Sequence, residues 1–127
     1  MPTYDFGDGK GPVAAHQHTN GGGWVADTAV LDDTVYVGPD AKVYGTAWVC
    51  GTSWIYGNAQ VHEQAFVDHM AMIFDDAVVR GNARVDEEAR VYENAVVAGS
   101  VHVNGCSWIH GTAYVEGDET ITDEDRT

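Results

Sequence analysis

The stretch "VRGNARVDEEARVYENAVVAG", residues 79–99, runs on a six-residue metre. Val79, Val85, Val91 and Val97 fall six apart, and Ala83, Ala89 and Ala95 sit four places after the first three. An α-helix turns every 3.6 residues and a lone strand alternates every two, so neither produces a strict six. A short strand followed by a tight corner does, when each unit supplies one inward residue for the strand and one for the bend.

The frame extends without insertion from Val25 to Ile121. All seventeen lead positions are aliphatic, and all but Leu31 are β-branched, the type that fills a flat strand interior. The fifth position, from Ala29 through Ser53 and Ala65 to Ala113, stays small until Glu119. A small side chain fits where the chain bends inward. The third position is Gly in eight of sixteen units, from Gly45 to Gly117, and Gly supplies the positive φ that a tight corner needs. Three such units close one 18-residue coil. Between five and six coils at a strand spacing of about 4.8 Å give a solenoid roughly 25 Å long.

With this frame the chain resembles the hexapeptide-repeat family. The resemblance implies an all-β, single-domain left-handed parallel β-helix, a triangular solenoid of 18-residue coils. Residues 1–24 are then an N-terminal capping segment, 25–121 the left-handed β-helix and 122–127 an acidic C-terminal tail. Capped ends are what a stacked solenoid requires. The segment "HTNGGGWVADTAV", residues 18–30, resembles the opening of short family members of bacterial and prophage type. That implies a small accessory protein, viral in the prophage case, with no defined reaction.

Charge narrows the partners. Among 127 residues, 20 Asp plus Glu face six Lys plus Arg, a formal charge of −14. Such a surface repels nucleic acid and anionic membrane and favours a basic partner. Neither direct nucleic-acid binding nor membrane insertion is expected. The opening MPTYDFGDGKG has no basic n-region or apolar h-region, so a cytoplasmic location is expected. On charge alone, a phage-type inhibitor presenting spaced carboxylates to a host nucleic-acid-binding machine is one role such a chain fits. Cys50 and Cys106 lie three coils apart, about 14 Å at the strand spacing, too far for a disulfide.

Adding 18 sorts the outward residues into columns. On the third face Tyr36, Trp54, Met72, Arg90 and Trp108 form one column, beside Gly38, Tyr56, Phe74, Tyr92 and His110. A single aromatic ladder is ordinary sheet packing. Two adjacent columns of rings, Met and cations between Asp- and Glu-rich corners mark an interaction surface. The chain is therefore expected to be a non-catalytic binding or scaffold protein acting through this face. A second copy is the first partner expected, as a face-to-face dimer ahead of the trimer that the family resemblance implies.

Enzymatic readings compete with this one. The resemblance also implies acyltransferases using coenzyme A or acyl-carrier protein, with an active site between subunits, and carbonic anhydrases holding zinc with His from adjacent coils. No helix-sized tail or long insertion interrupts the frame, and His62, His69, His102 and His110 never stack at 18-residue spacing. His16 and His18 in a Gly-rich segment are a weak metal signal. Asp68 above Asp86 requires no ion, since Arg84 shares their face, and Arg80, Arg84 and Arg90 neutralise acids within one coil. No catalytic residue, metal site or cofactor is assigned.

Overall fold

Each six-residue unit folds as a short strand and a corner, and in the computed structural model the units stack into three sheets. The structure describes residues 2–7 and 9–127; Met1 and Asp8, both inside the expected N-terminal segment, lie outside the described residues. β1 (Thr3–Asp5) and β2 (Pro12–Gln17) pair antiparallel, and β3 (Trp24–Ala26) opens the repeat. From Val30–Leu31 to Thr120–Thr122 one strand follows per unit, and Asp125–Arg126 closes the series. Every third strand returns to the same sheet and pairs in parallel. Phe66 thus meets Trp48 on one side and Arg84 on the other. The architecture is an all-β parallel solenoid of about 6 turns with 18-residue coils.

The sequence frame maps onto burial. Every lead side chain except Leu31 is buried, and Val37, Ile55, Ile73 and Ile109 are at 0% exposure. Leu31, half-buried, packs against the same core near the N-terminal end. At roughly 1.5–3 kcal/mol for each fully buried aliphatic side chain, this column is the main source of stability. From Ala29 to Ala113 the fifth-position residues are buried as well. Ser53 and Ser107 occupy that slot without loss, because their hydroxyls donate to the carbonyls of Cys50 and Asn104 at 2.9 Å.

The corners differ from the simplest sequence reading. From position 45 to 123 every third-position residue has positive φ, including Glu63, His69, Asp75, Glu87, Glu93 and Asp123 at 54–60°. Backbones stack closely there: a Cβ on Gly45 would lie 2.9 Å from the Glu63 nitrogen. The left-handed conformation costs an ordinary L-residue roughly 1–2 kcal/mol, so the middle coils carry strain that glycine would avoid.

Terminal segments of the chain pair with the outermost strands of the stack. β2 changes partner midway: Pro12–Ala14 pairs with β1, and Ala15–Gln17 with β3. Residues 18–23 then cross the first coil, with Gly23 N–H donating to the Val37 carbonyl and Val37 N–H to that of Asn20, both at 3.0 Å. A Cβ on Gly23 would meet the Val37 side chain at 2.3 Å, which explains the glycine run. The His18 ring is buried and bonds the Val35 carbonyl at 2.8 Å. At the other end residues 122–127 continue the coil, and Arg126 takes the inward register position beside Ile109. Its guanidinium grips both oxygens of Glu119 at 2.9 and 3.0 Å and reaches Glu124 at 3.1 Å. The acid in the small-residue slot is half of an ion pair at the C-terminal end of the stack. That pair holds the Glu119 carboxyl below the usual range.

Two stability changes follow from this register. Ala65→Leu or Ala89→Leu should cost about 1–3 kcal/mol in chemical denaturation, because a fully enclosed corner has no room for the added carbons. Glu63→Gly should instead stabilise by up to about 1 kcal/mol, since it relieves a left-handed residue at the expense of unfolded-state entropy.

Candidate functional site

Residues just before and just after a lead position project from the same outer surface, because side chains alternate along a strand. The third sheet therefore shows two columns, and all nine expected interaction residues lie on it. The column after the lead is a continuous stack: Tyr56 on Phe74 at 4.9 Å, Phe74 on Tyr92 at 4.9 Å and Tyr92 on His110 at 5.0 Å. Interplanar angles are 2°, 1° and 5°. Parallel strands in strict register bring these rings one above the other. The neighbouring column is rougher. Trp54 sets its edge against Tyr56 at 6.1 Å, Trp108 does the same to Tyr92 at 6.2 Å, and Arg90 lies over Trp108 at 5.3 Å. Tyr36 tilts on Trp54 at 5.4 Å. The inner rings are half-buried by one another, whereas Trp54 and Trp108 remain 50% and 41% exposed.

Acids border the stack and tune it. Asp75 accepts from the Glu93 amide at 3.2 Å, and Glu93 accepts from His110 Nδ1 at 3.2 Å. His110 Nε2 bonds Asp125 at 2.5 Å. These carboxylates, Asp125 first, raise the His110 pKa above its ordinary value against the opposing effect of desolvation. Desolvation, then Asp75 for Tyr56 and Glu93 for Tyr92, pushes both phenols up. Both tyrosines stay protonated and can donate a hydrogen bond at the edge of the stack.

The first sheet offers an internal comparison that the sequence did not reveal. There the N-terminal arm lies on an aromatic column: Phe6 stacks on Tyr44 at 4.7 Å and Tyr4 on Trp24 at 4.8 Å. Phe6 and Tyr44 are left 5% and 6% exposed. Tyr44 in turn stacks on His62 at 4.6 Å and donates to Gln60 at 2.8 Å. The aromatic spacing in MPTYDFG is the only sequence signal for this arm, and it becomes meaningful only once Trp24 and Tyr44 are known to be neighbours. On the second sheet a single pair, Trp48 and Phe66 at 6.1 Å, ends under the Arg84 guanidinium.

Groups with chemical potential are mostly committed elsewhere. His16 bonds Asp27 at 2.7 Å and His102 bonds Asp86 at 3.0 Å, while His69 lies 3.5 Å from Asp68. Among the described residues no group of three or more His, Cys, Asp or Glu is placed to hold a metal ion. Both cysteines are free thiols. Burial, then Asp32 and Asp68, pushes the Cys50 thiol up, which opposes formation of a reactive thiolate. Comparison with known protein families, curated proteins and solved structures finds no match to this chain.

The His110 contacts set a pH dependence. Because its folded-state pKa is raised, its contribution to stability is fully present below about 6.5, the unfolded value, and disappears as pH rises through the folded value. The stability difference between wild type and His110→Gln should be largest in mild acid and shrink toward alkaline pH. Asp125→Asn should move the imidazole titration, followed by NMR, back toward its ordinary position.

Proposed function

We propose that this protein works by binding and not by catalysis, docking a protein partner against the ring stack of its third sheet. The observation that carries the reading is the contrast between two aromatic surfaces of one molecule. On the first sheet an extended arm covers the column and lowers Tyr44 to 6% exposure. On the third sheet a longer stack keeps Trp54 and Trp108 open. Rigid rings already held in place lose little entropy on binding, and Trp and Tyr are the usual anchors of interface hot spots.

Charge favours a basic partner over a second copy. One border of the face carries Asp75, Asp76 and Glu93, and the other Glu87 and Glu88. In a face-to-face pair each acidic border meets an acidic border, whichever way the copies are turned. The homodimer is therefore the second form of the proposal. We also place the solenoid with the left-handed hexapeptide-repeat proteins. The support is the uninterrupted six-residue frame and its small fifth position.

The Trp54→Asp, Trp108→Asp double variant should keep the β-type circular dichroism of wild type while losing association by at least about thirtyfold, the effect of removing one hot-spot residue. Light scattering reads self-association. Affinity capture from source-cell lysate, quantified against the variant, reads a foreign partner. A wild-type protein that stays monomeric and retains nothing the variant fails to retain would contradict the proposal.

A further inference from the structure

The corner between the second and third sheets holds an outward apolar residue where the frame elsewhere places a polar one or a thiol. Met70 occupies the fourth position, filled in other units by Thr, Asn, Asp, Glu, Gln, Ser or Cys, and it is 56% exposed. Beside it opens a cleft of about 600 Å³, lined by Gly51, Thr52, Met70 and three carboxylate residues, Asp86, Glu87 and Glu88. Thr52 and Met70 also line a neighbouring groove of about 280 Å³ that continues onto the third face along Trp54 and Met72. The acidic cleft and the aromatic face are therefore one continuous surface.

Acids at a corner are commonplace in this chain, but Asp86 is different. It is only 7% exposed, and its Oδ2 accepts from His102 at 3.0 Å with the Arg84 guanidinium 4.0 Å away. Its Oδ1 is buried with no hydrogen-bond partner. A buried carboxylate oxygen without a donor is costly, and a cationic donor that enters the cleft and moves aside the groups covering Oδ1 recovers that cost. His69, which also borders the cleft, is exposed and directed to Asp68 at 3.5 Å.

We propose that this cleft seats an arginine side chain from a basic peptide segment of the partner, with the adjoining apolar residue of that segment lying in the groove of Met70, Trp54 and Met72. The inference rests on the reading of the third face as a docking surface and names what arrives at its edge. Arginine fits better than lysine, because its planar fork presents several donors at once, enough for Asp86 and an adjacent glutamate together.

The probe is the capped dipeptide acetyl-Arg-Leu-amide, titrated into the isotope-labelled full chain at physiological ionic strength, with acetyl-norleucine-Leu-amide as the uncharged control. Saturable amide shifts should centre on Thr52, Met70, Glu87 and Glu88, and the control should give none at Glu87 or Glu88. Asp86→Asn and Glu88→Gln should each weaken binding by about tenfold, the effect of losing one charge-assisted hydrogen bond. Glu88 is exposed, so its variant reads the cleft even where Asp86→Asn perturbs the His102 contact and lowers stability. Absence of saturable shifts overturns the proposal, as do equal shifts at the other acidic border around Asp75 and Glu93, or affinities unchanged in Glu88→Gln. The probe does not reach the ring stack at Tyr92 and Trp108, so its failure removes the cleft assignment and leaves the third-face reading to its own double variant.

Discussion

From Val30 to His102 the backbone bonds that tie one coil to the next follow a single rule, in which an N–H donates to the carbonyl seventeen residues on. Trp48 donates to Ala65, Phe66 to Ala83 and Arg84 to Val101, each at 2.9 Å. The corners obey it too, with Met70 donating to Glu87 and Asp76 to Glu93 at 2.9 Å. An extra residue within a strand breaks such a ladder, because it turns the lead side chain from the core to solvent. The six-residue metre, the buried aliphatic column and the ring stack all depend on this register.

Strict register also explains what the surface can do. Identical positions recur at the strand spacing, so rings at the same position of successive coils become neighbours in a column. Tyr56, Phe74, Tyr92 and His110 form a wall of parallel rings for this reason. Where charge replaces glycine at the third position, the same register lines up carboxylates at the edges. Glu63, Asp75, Glu87 and Glu93 keep a strained backbone that glycine would relieve. Four acidic side chains held at that cost in the middle coils fit a selection for surface charge more than for stability.

Much of the fold was legible because it is periodic. Val37 and Ile55 could be placed in the core from spacing alone, and so could the two columns of the third face. What escaped the sequence was aperiodic. The arm that lays Phe6 on Tyr44 depends on where a hairpin outside the frame folds back, and no local pattern encodes that. Arg126 looked like part of an acidic tail, yet a one-residue shift of register, Trp108 beside Asp125, turns it inward onto Glu119. Asp86 read as one more surface acid, because its burial comes from neighbours in adjacent coils. Met70 did carry a signal, an apolar residue in a polar slot, whose meaning required the cleft beside it.

The register is the claim on which the site and its proposed partner both rest, and NMR couplings across hydrogen bonds measure it directly. The amide of Tyr56 should couple to the carbonyl of Ile73, that of Phe74 to Val91 and that of Tyr92 to Ile109, since each bond is 2.9 or 3.0 Å long. Those three couplings would place the rings in one column, one coil apart. Couplings to carbonyls sixteen or eighteen residues on, or a pattern of antiparallel pairs, would contradict the coil register and with it the continuous ring stack.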